Sequence, residues 1–369
     1  MEETNPILSK PKKLIENFFS LAEEDAKKIV EIIKQDKVFI EQVAKHVKLE
    51  SFTPDDQPKI KVAVVDGSCA PIPSMKIGVG LAVISAGYLI AEGTKIVKTD
   101  YCANSFTDRQ NQEEFKFAVQ LGMTLLERKM AVESLKENPD LLIIDGSLAF
   151  PRYPPLSVEL SPVQAEIRRL TEEVVNSKKA IGIIKRSGLS AIQAELFLRG
   201  QLAWKEIRPL RDKYLMDVIL PEKTVWQYSN FTANIPQSLS KTLRQLKRAG
   251  AVVTTEEFTE AYAKNYARET ATQPTLMRAY MRAFKEAAPF EIEHPPGMSV
   301  INIAEKLWSL CNEATGLPII LDLLDHDVGI ERTLMQAYAD EVHARTLDKT
   351  TDTKTLQSLF KPLNPEKDA

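Results

Sequence analysis

Two aspartates close apolar runs in this 369-residue chain: VAVVDGS places Asp66 after Val62 to Val65, and LLIIDGS places Asp145 after Leu141 to Ile144. An aspartate at a strand end, followed by Gly-Ser, has an ordinary use as a turn residue that bonds its own backbone. Two of them at the ends of neighbouring parallel strands have another use. Their carboxylates would emerge side by side at one sheet edge, where like charges repel and a bound divalent cation relieves the repulsion. Oxygen ligands suit hard ions such as Mg2+ and Mn2+, which keep open positions for water and phosphate. Two such ions about 3.5–4 Å apart can align an attacking water and stabilise the leaving oxygen of a phosphodiester.

That chemistry needs further carboxylates, and the segment TLLERKMAVES between the two motifs offers Glu127 and Glu133. On a helix, Glu127 shares a polar stripe with Lys116, Gln120 and Ser134, which periodicity reads as solvated, whereas Glu133 points into a more apolar arc. Periodicity does not choose between them.

The elements that would position these groups follow from the same rows. Residues 11–50 have helical spacing, and Ser51 to Pro58 form a polar, proline-containing joint. Strands are expected at VAVVD, from Lys76 to Ile90 and from Thr94 to Tyr101. A long helix fills Arg109 to Lys136 and stops before Asn138-Pro139. LLIID is the fourth strand, Ser161-Pro162-Val163-Gln164 carries a helix start, and AIGIIKRSG is the fifth strand with its exit loop. Strands interleaved with helices call for a mixed α/β sheet with parallel neighbours and functional groups at the carboxyl ends of its strands.

Beyond Gly188, helices are expected at 189–202, 210–219, 237–249, 299–314 and 327–346. LMRAYMRAF, from Leu276 to Phe284, fits either a helix or a strand followed by PFEIEHP. The residues from Lys361 onward read as a frayed tail.

Bulk properties set bounds. A net charge of −3 excludes a molecule that is strongly basic as a whole, so nucleic-acid contact has to be a local patch. Cys69, Cys102 and Cys311 show no CxxC spacing; they form neither a disulfide framework nor a zinc site and suit a reducing, cytoplasmic compartment as small buried side chains. The N-terminus lacks the apolar core of a signal peptide. The run from Ile77 to Ala91 is short of a membrane span and reads as buried strand.

VDGS on the first strand, Glu127 on a helix, then IDGSL and IIKRSG together resemble the NurA family of prokaryotic nucleases, from about Lys61 through the IIKRS segment with weaker echoes to about Arg332. The resemblance implies a ribonuclease-H-like fold: a mixed five-stranded sheet flanked by helices, with N-terminal helices and additional C-terminal α+β elements. The implied division is an N-terminal helical segment at 1–57, a nuclease domain at 58–348 with its core at about 61–188, and a tail at 349–369. It also implies DNA cleavage from the 5′ end and internally with Mn2+ or Mg2+, a homodimer, and work with the hexameric HerA translocase in end resection.

Carried over residue by residue, Asp66 and Asp145 match the family's metal-binding aspartates. Glu127 matches its helix carboxylate by spacing, ahead of Glu133, and Lys185, followed by Arg186, matches a basic position after the fifth strand. The family's Gly-Tyr-Pro segment and following histidine are altered here: GLPIILDLLDHDVGI has Leu317 for the tyrosine, Asp325 where the histidine would fall and His326 one later. Either a shifted helix brings His326 in, or Asp325 serves as an extra ligand.

Further phosphate contacts are expected from SKTLRQLKRAG, which groups Lys241, Arg244, Lys247 and Arg248 near one helix face. As a strand, LMRAYMRAF would line one side with Arg278, Tyr280 and Arg282, a surface suited to single-stranded DNA. Two other readings compete. An actin- or sugar-kinase-like ATPase would use two Asp-Gly loops but needs duplicated halves, and a non-catalytic subunit of a translocase complex would keep the fold as a structural cap.

Overall fold

The computed structural model describes the chain except residues 1–9, 55–59, 71–73, 77, 94, 110–111, 151–160, 186–190, 204–205, 209, 230–249, 251–273 and 362–369. It divides into two units, Met1–Val47 and Lys48–Ala369. The first carries one helix, α1 (Lys12–Ala44), within the 11–50 span of helical spacing. Phe18, Phe19, Ile29 and Ile33 are exposed along it, and Phe39, Ile40 and Val43 are buried near its end.

The second unit begins before the expected boundary at residue 58, because Glu50–Ser51 (β1) already pairs with a strand of the sheet. Its strands are β2 (Lys61–Cys69), β3 (Ser74–Met75), β4 (Gly80–Glu92), β5 (Lys95–Asp108), β6 (Leu141–Asp145), β7 (Ala180–Ile184), β8 (Thr224–Ser229), β9 (Met277–Arg282) and β10 (Phe290–His294). The helices are α2 (Gln112–Leu135), α3 (Ser161–Asn176), α4 (Ala191–Leu198), α5 (Asp212–Ile219), α6 (Val300–Trp308), α7 (Ile319–Val328), α8 (Arg332–Leu347) and α9 (Thr353–Leu359).

The strands form one mixed sheet in which β2, β6 and β7 are parallel neighbours and β4 and β5 continue outward from β2 as antiparallel partners. These are the five expected strands, in the spatial order β5-β4-β2-β6-β7. The sheet then continues through β10, β9, β8 and β1, all antiparallel. The ambiguous LMRAYMRAF segment is β9; flanking strands on both sides satisfy its backbone, and that decides against a helix.

The two faces of the sheet explain the parallel segment. Alternate residues of β2 and β6 enter opposite cores: Val62, Val64, Leu141 and Ile143 pack with α6 and α7, whereas Ala63, Val65, Leu142 and Ile144 pack with α2 and α3. Burial on both faces requires the continuous apolar runs seen in the sequence. Helix α7 was not expected. It is held by burial of Ile320, Leu321, Leu324 and Val328, and it starts after Pro318, whose φ of −59° suits a helix entry. Residues expected as tail also carry structure: α9 packs through Leu356 and Leu359, and the Leu359 carbonyl accepts from the Gly78 amide at 3.1 Å. The cysteines are all partly buried and unpaired.

Candidate metal centre

Register alone brings the first two carboxylates together. Val65 of β2 lies opposite Ile144 of β6 in a parallel ladder, so the next residues, Asp66 and Asp145, leave the sheet level with one another. Asp145 in turn faces Ile183 of β7, and Lys185 follows just beyond. From the opposite side, α7 lays its apolar stripe on β2 and carries Asp325 to the same edge. One oxygen each of Asp66, Asp145 and Asp325 lie within 4.8 Å of one another. The end of α7 is tied down by three strands. Ser85 of β4 donates to the Val328 carbonyl, Ser68 of β2 accepts from the Ile330 amide at 3.2 Å, and Tyr101 of β5 donates to Asp327 at 2.7 Å.

Glu127 reaches this edge from α2. A side chain added at Gly67 would come within 3.3 Å of the Glu127 Cβ, so the Gly of the first DGS motif lets the helix carboxylate sit against the strand end. Glu127 is buried, and its neighbour Arg128, 2 % exposed, donates to Glu127 Oε1. Glu133 is paired at the surface with Lys136, just past the end of the same helix. The stripe expected to be solvated is therefore covered at Glu127 and Ser134, and Glu127 lies against Gly67 at the end of β2.

The electrostatics follow from crowding four acids into a poorly solvated edge. Burial raises the pKa of Asp66 from 3.8 to about 8; Asp145, Glu127 and Asp325 push in the same direction, against one hydrogen bond from the Gly67 amide at 2.7 Å. Burial raises Glu127, opposed by Arg128. Burial also raises Asp145, opposed by Lys185, whose ammonium lies 2.7 Å from Asp145 Oδ2 and 3.8 Å from Asp322 Oδ1. Asp66 Oδ2 is buried and accepts no hydrogen bond from the described residues. Such an oxygen calls for a proton or a cation, and an all-carboxylate donor set fits a hard divalent ion.

His326 is exposed, one residue past Asp325, and does not join the three-carboxylate group. Two expectations are corrected. Arg278 does not face solvent: it is 2 % exposed and ion-paired with Glu291 and Glu293. Arg282 is half-buried, and its guanidinium donates to the carbonyls of Asp217, Leu220, Phe284 and Lys285. With Tyr280 fully buried between them, this side of β9 is interior and offers no single-strand platform. Arg186, Lys241, Arg244, Lys247 and Arg248 lie outside the described residues. Sequence reasoning missed Arg128, Asp322 and Glu293. The usable signal for the first was a charged residue directly beside the candidate ligand Glu127, and for the second an Asp one helical turn before Asp325.

Sheet order and acidic edge define a class first: a mixed α/β fold whose central parallel strands end in a carboxylate cluster. The comparisons then narrow it. The NurA domain model matches residues 60–330, and the chain belongs to this nuclease family. Among solved structures, the NurA nuclease from Sulfolobus solfataricus aligns at 14% identity over 93% of this chain and 99% of its own, with a TM-score of 0.59. A NurA structure with manganese aligns at 11% identity over 87% of this chain and 98% of its own, with a TM-score of 0.53. No curated protein matches the sequence.

Proposed function

We propose that the protein is a divalent-metal-dependent DNA nuclease that hydrolyses phosphodiester bonds, acting as a 5′ to 3′ exonuclease and a single-strand endonuclease. The observation that carries this reading is the convergence of Asp66, Asp145 and Asp325 within 4.8 Å around a buried Asp66 oxygen that has no hydrogen-bond partner among the described residues. Asp66, Asp145 and Glu127 would hold the cations, two Mn2+ or Mg2+ ions in this reading, and Asp325 supplies a carboxylate where the family has a histidine. When bound, such ions stabilise charge on the phosphate and activate water. Lys185 stands beside Asp145 as the side chain placed to meet a phosphate oxygen. Arg186, Lys241, Arg244, Lys247 and Arg248 would supply further phosphate contacts.

Family membership supports the wider setting: a homodimer in the cytoplasm, working with a HerA-type hexameric ATPase in DNA end resection. No described helix is long and apolar enough to cross a membrane. One feature favours the reading of a weakly active cap in such a complex: Leu317, in place of the family tyrosine, packs against the apolar core.

A single assay separates these readings. Purified protein is incubated with 5′-labelled single-stranded and duplex DNA in Mn2+, Mg2+ or EDTA, with and without a translocase, beside Asp66→Ala and Asp145→Ala. Metal-dependent degradation abolished by either substitution is expected. Cleavage that survives EDTA or both substitutions would overturn the metal mechanism, and complex formation without cleavage would favour the structural cap.

A further inference from the structure

Two buried arginines flank the loop that follows Asp145. Arg128 of α2 donates in three directions: to Glu127 Oε1, to the Ser147 carbonyl at 2.6 Å and to Thr171 Oγ1 of α3 at 3.2 Å. On the other side of the loop, Ser147 Oγ donates to Glu293 Oε2 of β10 at 2.7 Å, and the Leu148 amide donates to the same oxygen at 2.9 Å. Glu293 Oε1 is occupied by Arg278, which also pairs with Glu291. Glu293 and Arg278 are almost fully buried. The loop itself needs glycine, since Gly146 has φ of +120°.

We propose that Arg128 is a positioning residue for the metal carboxylates: it locks Glu127 of α2 to the Asp145-Gly-Ser147 loop, which Glu293 of β10 anchors from the other side of the loop. The inference rests on the proposed metal site and adds to it the device that sets its geometry. Two ligands that come from a helix and a strand have no covalent reason to hold a fixed separation. A planar guanidinium bonded to both elements supplies one, and a lysine cannot reproduce its fork. Groups outside the ligand set that orient the ligands change metal affinity as well as rate.

The test uses the full chain and Mn2+ itself. Binding is read from loss of the free-ion electron paramagnetic resonance signal, alongside kcat and KM on single-stranded DNA. Arg128→Lys is expected to weaken Mn2+ binding by about tenfold and lower kcat with KM for DNA unchanged. Arg128→Met is expected to be worse than Arg128→Lys. Ser147→Ala, which removes one of the loop's two bonds to Glu293 and leaves the Leu148 amide and Arg128 in place, is expected to weaken binding by about threefold to tenfold.

Mn2+ affinity within about twofold of wild type in folded Arg128→Lys and Ser147→Ala would overturn the inference and leave the metal site standing. Should neither Arg128 variant fold, Ser147→Ala decides, and wild-type binding there overturns the positioning role. Wild-type protein that binds no Mn2+ would instead sink the metal reading, and this inference with it.

Discussion

Lys185 Nζ sits 2.7 Å from Asp145 Oδ2, so the residue just past β7 neutralises the residue that ends β6. Burial alone would lower the lysine pKa, but the bond to Asp145 and the charges of Asp325 and Asp322 outweigh it and keep the ammonium protonated. A cation entering the cluster must displace that contact. Lys185→Met is therefore expected to bind Mn2+ about tenfold more tightly, since a charge-assisted hydrogen bond contributes about 1.5 kcal/mol. The same variant should show a higher KM for DNA, because a phosphate partner is lost. Titration calorimetry and steady-state kinetics check the two opposed effects, and unchanged Mn2+ affinity would contradict the competition.

Asp325 and His326 are adjacent on α7 but differ in what they face. Asp325→Asn should lower Mn2+ affinity and activity by at least about tenfold, because one charged oxygen leaves the cluster. His326→Ala should change either by no more than about twofold, as an exposed side chain outside the carboxylate group. A larger loss from the histidine than from the aspartate would show that α7 presents the other residue to substrate.

Metal-free protein should lose stability as pH rises. Asp66 titrates near 3.8 when unfolded and is pushed up to about 8 by burial and its acidic neighbours. The native state therefore holds more protons than the unfolded state between those values, so its contribution is fully present below about pH 4 and is lost as pH climbs through 8. Melting temperatures measured in EDTA should fall across that window. Asp66→Asn should flatten the fall, and saturating Mn2+ should offset it, since the ion binds the deprotonated carboxylates. A flat profile in EDTA for wild type would rule out the buried, uncompensated carboxylates.

Gly182 of β7 is where the second DGS loop touches the sheet. A Cβ there would lie 2.4 Å from the Gly146 carbonyl and 3.2 Å from the Leu148 amide, both of them backbone atoms with little room to give. Gly182→Ala is expected to cost about 1–3 kcal/mol in denaturant unfolding and to lower Mn2+ affinity by moving Asp145. Wild-type stability would mean the loop shifts freely.

Parts of this architecture are legible in the residues alone. The apolar runs before Asp66 and Asp145 encode strands buried on both faces, and the intervening helical stretches require parallel neighbours; that these two strands are the neighbours is seen in the sheet register. Glu127 is different. Its stripe on α2 has the period of a solvated face, yet it is buried where the helix lies against Gly67 at the end of β2. Arg278 and Arg282 alternate as a surface would, yet β9 is an interior strand whose charges are matched by Glu291, Glu293 and backbone carbonyls. Helix α7 is a ten-residue, aspartate-rich segment bounded by Pro318 and Gly329, too short for periodicity to stand out against its charges.

By itself, the sequence determined a mixed sheet with parallel neighbours and two aspartates at strand ends that meet if those strands are adjacent, because local hydrophobic period and chain connectivity leave few alternatives. Tertiary structure alone decided the rest. It buried Glu127 and left Glu133 paired at the surface, brought Asp325 but not His326 into the carboxylate group among the described residues, and withdrew Arg278 into the core. Those outcomes depend on which helix lies over which strand end, and contacts between residues hundreds of positions apart, such as Ser68 with Ile330, set them without leaving a local signature.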